Sequence, residues 1–249
     1  MKYKNILIEN YNDCVMHIIL NRKNKYNALN SELTDELIDA LKQCDQSELI
    51  KCVVISGSEN FSAGADINEL ASNPEFIRSW EFIDTVKKPI IAAVSGIAFG
   101  GGNELLLMCD IILASKEAKF AQPEISLGLI CGSGGTQRLP WKIGKGMAME
   151  MCLTGNSITA EEAKDIGLIN HTYDTGELIK NALQLADRIS LNPIESIIST
   201  KKLIRDSCDN LSDGLIAEKN EFMRLLKGAN GIEGMNAFLE RRKPQFKNF

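Results

Sequence analysis

Residues 89–114, Pro-Ile-Ile-Ala-Ala-Val-Ser-Gly-Ile-Ala-Phe-Gly-Gly-Gly-Asn-Glu-Leu-Leu-Leu-Met-Cys-Asp-Ile-Ile-Leu-Ala, decide how this chain folds. The stretch is long and apolar enough to suggest a membrane span. Ser95, the glycines at 100–102, Asn103, Glu104 and Asp110 interrupt it, and a charged or amide side chain in hydrocarbon is costly. The alternative that accommodates them is a buried strand (Ile90 to Val94), a turn, a helix opening at Gly101 or Gly102, and a second strand from Ile111 to Ala114. Glu104 then falls in the first turn of that helix, where free N–H groups favour a carboxylate.

Working outward, the N-terminal half alternates short β-rich runs with helical segments. The opening residues up to Glu9, Val15 to Leu20 and Cys52 to Ser56 are strand candidates, His17 among them as a structural residue. Asn30 or Ser31 caps a helix whose Leu33, Leu37, Leu41 and Cys44 share one face, with Glu32 and Asp35 near its positive end. Strands alternating with helices in this way predict an α/β fold with buried strands.

After about Gly144 helical signals dominate. Thr159 and Glu162 form a capping box on a helix that Gly167 ends. Leu178, Ala182, Leu185 and Ile189 mark the next helix, and Asn192-Pro193 reads as a cap followed by proline at the first position of another. Ser212 to Lys227 and Gly231 to Lys243 are the last helical segments. The division expected is a core with the site in residues 1–191 and a helical oligomerisation module in 192–249. The apolar faces of the terminal helices need a partner surface, so an oligomer is expected.

Composition narrows the function. A net charge of −5 over 249 residues, with dispersed Lys and Arg, supplies no basic field for a polyanion, which argues against nucleic acid. Seven cysteines are an odd count without a Cys-x-x-Cys pair, as expected of reduced thiols. The two histidines, His17 and His171, lie far apart without ligand spacing, so no metal site is expected. The N-terminal stretch lacks the apolar core and cleavage site of an export signal, and a cytoplasmic setting without membrane association follows as the expectation. No dinucleotide fingerprint, Walker loop or nucleophile elbow is present. The loop Gly128-Leu-Ile-Cys-Gly-Ser-Gly-Gly lacks the lysine of a phosphate cradle and is read as a helix cap; Cys131 within it is read as a wall residue.

What remains is a pair of acids beside glycine-rich turns. Glu104 follows the glycine triplet, and Glu124 lies in Phe-Ala-Gln-Pro-Glu-Ile-Ser-Leu-Gly. Phe61-Ser-Ala-Gly-Ala-Asp-Ile is a second small-residue turn. Two backbone N–H groups converging on one oxyanion, with two carboxyls to move protons, make an acyl-activating site without a metal.

These segments, with Lys88-Pro-Ile-Ile-Ala-Ala-Val-Ser-Gly, Gln122-Pro-Glu and Gly134-Gly-Thr-Gln-Arg-Leu, resemble the enoyl-CoA hydratase (crotonase) family in order and spacing. The similarity runs from near Ile6 to the ending Phe238-Leu-Glu-Arg-Arg-Lys. The resemblance implies a crotonase-like spiral of ββα units with a C-terminal helical trimerisation module, assembled as a homotrimer or a homohexamer of two trimers. It implies that Ala65 and Gly101 supply the oxyanion N–H groups, and that Glu104 and Glu124 are the catalytic acids. Ala63, Asp66, Ile67 and Asn68 would join them in binding an acyl-CoA thioester, with Phe238 and Arg241 approaching the coenzyme A of a neighbouring subunit. No cofactor is implied beyond the coenzyme A of the substrate. In Asn21-Arg-Lys-Asn-Lys-Tyr-Asn-Ala the cation near the adenine is shifted by one residue relative to many hydratases.

The activity implied is reversible syn hydration of 2-trans-enoyl-CoA to 3-hydroxyacyl-CoA. The nearest rival is a Δ3,Δ2-enoyl-CoA isomerase, which needs one acid; the rival of another class is a noncatalytic or RNA-binding scaffold. The depth of the acyl pocket is expected to depend on how Asn68 to Val86 folds over the site.

Overall fold

The computed structural model describes residues 3–208 and 211–247. Strand β1 (Ile6–Asn12) pairs antiparallel with β2 (Val15–Leu20), and the sheet continues in parallel through β3 (Cys52–Gly57) and β4 (Ile90–Val94). A short β5 (Ile97–Phe99) follows β4 across the corner at Ser95 and Gly96, where Gly96 has φ +59°. β6 (Ile111–Ser115) extends the large sheet beside β4, and β7 (Lys119–Ala121) lies beside β5 in a smaller one. β8 (Ile158–Thr159) joins β7, and β9 (His171–Tyr173) closes the edge beyond β6. The orders are thus β1-β2-β3-β4-β6-β9 and β5-β7-β8.

The turns β4–β5 and β6–β7 each lay one strand in the large sheet and one in the small. Single bridges Ser62–Ala98 and Leu29–Ala65 carry the small sheet's pairing back into the earlier turns. This is the spiral of ββα units expected from the sequence.

The helices are α1 (Ser31–Gln46), α2 (Ile67–Ser72), α3 (Gly101–Leu107), α4 (Gly135–Ile143), α5 (Lys145–Thr154), α6 (Ala160–Asp165) and α7 (Thr175–Ser190). Helix α1 begins where the Asn30 side chain accepts a hydrogen bond from Leu33 N at 3.1 Å, and Leu33, Leu37, Leu41 and Cys44 are all buried. The central strands β3 and β4 are buried at every position, as strands covered on both faces must be. Alternation sorts their side chains. Val53, Ile55, Ile90 and Ala92 join the core containing α1 and α3, whereas Cys52, Val54, Ile91 and Ala93 pack against Leu178, Ala182 and Ala186 of α7. His17 is buried with Nε2 2.8 Å from Ser56 Oγ, and burial holds its pKa below the ordinary value despite nearby Glu9, which fits a structural role. The Thr159–Glu162 capping box forms as expected.

The last helices are α8 (Ile194–Arg205), α9 (Leu211–Leu226) and α10 (Ala229–Leu239). Two details differ from the sequence reading. Pro193 itself is the N-cap of α8, and the Asn192 amide donates to Ile189 O at 3.1 Å, closing the end of α7. The final helix stops at Leu239, because Arg241 adopts φ +55°, a left-handed turn. Lys201 ties α8 to the core through Asp110 at 2.7 Å and Lys88 O at 3.0 Å. Phe222, Ile232, Met235 and Leu239 leave large apolar side chains exposed on α9 and α10. Among the described residues no helix is long and apolar enough to cross a membrane.

Candidate active site

The glycine triplet brings α3 against the 61–65 turn. Gly100, at φ +52° and ψ −125°, takes a conformation open to glycine alone, and it swings the chain from β5 into the helix. At Gly101 a Cβ would lie 2.8 Å from the Trp80 ring and 3.2 Å from Ala65 N, so only hydrogen fits there.

Two backbone donors meet in the space so formed. In the bridge to Leu29, Leu29 N donates to Gly64 O and Asp66 N donates to Leu29 O, each at 2.7 Å. Successive N–H groups of an extended chain point to opposite sides, so the Ala65 N–H is turned away from Leu29 towards α3. Gly101 N, the first helical N–H, lies 3.2 Å from where a Cβ on Gly64 would stand. Neither Ala65 N–H nor Gly101 N–H has an acceptor among the described residues. Two orphaned donors facing one space can receive an oxyanion.

Glu104 sits in the first turn of α3, 2% exposed. Its Oε1 accepts from Ser133 N at 2.7 Å and Gly135 N at 2.8 Å. The anion gripped by the glycine-rich 128–135 loop is thus a carboxylate of the same chain. Arg138 of α4 holds that loop in place, donating to Ser133 O at 2.8 Å and pairing with Asp84 of the 3₁₀ segment Pro74–Thr85. Burial pushes the Glu104 carboxyl above the ordinary value, and the Gly135 and Ser133 N–H groups and the Arg138 charge oppose that rise.

Glu124 lies in a 3₁₀ turn, Pro123–Leu127, and is half-buried. A Cβ on Gly100 would stand 2.9 Å from Glu124 Oε1, so this carboxyl borders the N-terminus of α3; its Oε2 is buried without a partner. Burial raises its pKa first, and the Glu104 charge raises it further. The two acids therefore feel each other across one site. The Asn103 and Gln122 amides meet at 2.9 Å, and the Gln122 side-chain amide lies 3.0 Å from Cys131 Sγ. Cys131 is buried, with its thiol pushed up to about 12, in keeping with a wall residue.

The remaining expected residues are more dispersed. Ala63 N donates to Tyr26 O at 2.9 Å. Asp66 is engaged within the protein: it pairs with Arg22 at 3.0 Å and accepts from Asn68 N at 3.2 Å as the cap of α2. That pairing also turns Arg22 inward. Ile67 and Asn68 are exposed at the start of α2. Arg241 is exposed in the turn after α10, with no ion pair among the described residues, and the Phe238 side chain lies outside them. Among the described residues no group of three or more His, Cys, Asp or Glu side chains is arranged to hold a metal ion.

Sequence reasoning missed Ser133, Gly135, Arg138, Asp84 and Trp80. The Gly134-Gly-Thr-Gln-Arg motif signalled the loop, but its engagement with an acid about thirty residues upstream is a tertiary contact without a local pattern.

The same architecture recurs among known proteins. Residues 10–248 match the model of the enoyl-CoA hydratase/isomerase family. A mitochondrial enoyl-CoA hydratase of Pongo abelii is 41% identical over 95% of this chain and 85% of its own. A probable enoyl-CoA hydratase of Rhizobium meliloti is 40% identical over the full length of both. The crystal structure of an enoyl-CoA hydratase from Bacillus anthracis superposes with a TM-score of 0.94 at 34% identity, covering 99% of this chain and all of the other. With two acids and two free backbone donors around one space on this spiral, the chain belongs to the enoyl-CoA hydratase/isomerase family of enzymes.

Proposed function

We propose that the protein catalyses reversible syn addition of water to 2-trans-enoyl-CoA, giving 3-hydroxyacyl-CoA. The observation that carries this is the placement of two carboxyls, Glu104 and Glu124, beside the N–H groups of Ala65 and Gly101, which have no acceptor among the described residues.

The thioester oxygen binds between those two N–H groups. As water adds to carbon 3, electrons move through the conjugated system onto that oxygen, and fixed donors stabilise the developing charge more than the neutral substrate. Glu104, whose Oε1 already accepts two N–H bonds, is the better anion and takes the proton from water. Glu124, whose pKa is raised by burial and by the Glu104 charge, delivers a proton to carbon 2. Each turnover leaves Glu104 protonated and Glu124 ionised, and proton exchange restores the starting pair. Because the acids are coupled, their titration belongs to the pair. The scheme uses backbone dipoles and carboxyls, with no metal or redox cofactor.

Assembly as a trimer or a hexamer of two trimers is proposed on the exposed apolar faces of α9 and α10, which a second copy would cover. Residues 192–249 would then be the oligomerisation module, and a cytoplasmic site of action is proposed with it. Incubation with crotonyl-CoA tests the activity. Hydration removes the conjugated chromophore, whereas an isomerase moves a double bond and leaves crotonyl-CoA without a product. Absence of hydration by the purified protein refutes the reading.

A further inference from the structure

Two thiols meet beside the loop that holds Glu104. Cys131 Sγ lies 3.8 Å from Cys152 Sγ of α5, although the two residues are 21 positions apart in the chain. Both are free cysteines; Cys131 is buried and Cys152 is partly exposed. A cleft of about 340 Å³ is lined by both and gives a small solute access to the sulfurs. A disulfide places its sulfurs about 2.0 Å apart, so these two need to approach by less than about 2 Å to bond.

Such an approach reaches the catalytic acid. Cys131 precedes Ser133 and Gly135, whose N–H groups hold the Glu104 carboxylate. A Cβ on Gly135 would stand 2.9 Å from both Cβ and Sγ of Cys131, so this side chain and the loop backbone are packed against each other. Drawing the Cys131 sulfur towards α5 takes it off the Gln122 side-chain amide, 3.0 Å away, and shifts the backbone that grips the acid. A displacement of about 1 Å in a positioned catalytic group costs on the order of 10²-fold in rate.

From this contact we infer that Cys131 and Cys152 form a reversible disulfide, which disables the site by pulling the 131–135 loop away from Glu104. The oxidant is a hydroperoxide. Its O–O bond breaks as the Cys152 sulfur, the more accessible of the two, takes one oxygen and becomes a sulfenic acid, while the other oxygen leaves as water or an alcohol. The Cys131 sulfur then attacks that sulfur, the S–O bond breaks, and the hydroxyl leaves with the Cys131 proton as water. The two thiols together lose two electrons and the peroxide gains two. Burial raises both thiols above the ordinary value, which keeps the thiolate scarce and the first step slow. The pair therefore answers sustained oxidation, and a dithiol returns it to the reduced form. Loss of activity as a readout rests on the hydratase reading above; the bond and the loop movement do not.

The test exposes the intact protein to hydrogen peroxide, quenches with catalase and maps the unreduced peptides by mass spectrometry. The expected result is a peptide joining Cys131 to Cys152, faster hydrogen–deuterium exchange at the Ser133 and Gly135 amides, and crotonyl-CoA hydration lower by at least about tenfold, all reversed by dithiothreitol. Cys152→Ser, compared with its own untreated activity, is expected to lose none that dithiothreitol restores; Cys152→Ala makes the same comparison should the serine variant not fold. Absence of the crosslink overturns the inference. So does a crosslink that leaves exchange and hydration unchanged, or a dithiothreitol-reversible loss of the same size in the Cys152 variant. If the untreated protein hydrates nothing, the hydratase reading is what fails, and the exchange rates of the crosslinked loop still decide the switch.

Discussion

The carboxylate of Glu104 accepts a hydrogen bond from the backbone of Gly135 at 2.8 Å, so the acid and the first residue of α4 hold each other in place. Helix α3 supplies the acid, the 132–135 loop supplies the N–H groups that orient it, and Arg138 with Asp84 fastens that loop to the 3₁₀ segment Pro74–Thr85. The carboxylate is positioned by main chain, whose geometry varies less than that of side chains.

Replacing Glu104 by Gln keeps an oxygen for the Ser133 and Gly135 N–H groups but removes the base. The expected result is an unchanged circular dichroism spectrum with kcat reduced about 10²- to 10⁴-fold, the usual range for loss of general acid–base catalysis. Retention of wild-type turnover would show that Glu104 is not the base.

Glu124→Gln is expected to trade activity for stability. A carboxyl whose folded pKa is raised binds its proton more tightly in the folded state. Its contribution is therefore full below the ordinary carboxylate pKa and is lost as pH rises through the raised value. Thermal melts should place the variant above wild type at pH 7 to 8 and show no difference near pH 4, while hydration falls at least ~10²-fold. A variant less stable than wild type at neutral pH contradicts the assigned shift.

Arg138 holds the Glu104 pKa down, so its removal lets that pKa rise further. For Arg138→Gln the acidic limb of kcat/KM should move to higher pH, because Glu104 must ionise to act as base. Steady-state kinetics across the pH range reads this directly; an acidic limb that stays put would mean that Arg138 serves the loop's shape alone.

Gly101→Ala brings a Cβ within 2.8 Å of the Trp80 ring and 3.2 Å of Ala65 N. The expected cost is about 1–3 kcal/mol of stability from overpacking. The N–H of residue 101 is kept, but the crowding displaces it and the Ala65 N–H, and turnover should fall by up to ~10²–10³, the range for an oxyanion donor put out of reach. Chemical denaturation and single-turnover kinetics measure the two separately.

Much of this was legible in the sequence where the signal is local. The Asn30 cap, the Thr159–Glu162 box and the apolar runs of β3 and β4 state their structure in adjacent residues, and the glycine triplet located the turn into α3. Both acids were visible for the same reason, each following a glycine or proline that reorients the chain. What escaped was long-range: the grip of Ser133 and Gly135 on Glu104, Trp80 against Gly101, and the Arg22–Asp66 pair spanning 44 positions. Asn192 misled because an amide can cap the helix after it or close the one before it. The sequence assigned residues 68–86 a place over the site, but not which side chain enters it; the structure sets the Trp80 ring of that segment against Gly101.

The exposed apolar residues of α9 and α10 predict that sedimentation velocity at micromolar concentration will find a trimer or hexamer. A stable monomer would leave those faces without a covering surface.

The central claim is that Glu104 and Glu124 act on opposite ends of one addition from the same face of the substrate. Hydration of crotonyl-CoA in D₂O, with the product resolved by proton NMR, tests it most directly. The account predicts 3-hydroxybutyryl-CoA as a single diastereomer, with deuterium at carbon 2 on the face that received oxygen at carbon 3. A mixture of diastereomers, or addition to opposite faces, would contradict it.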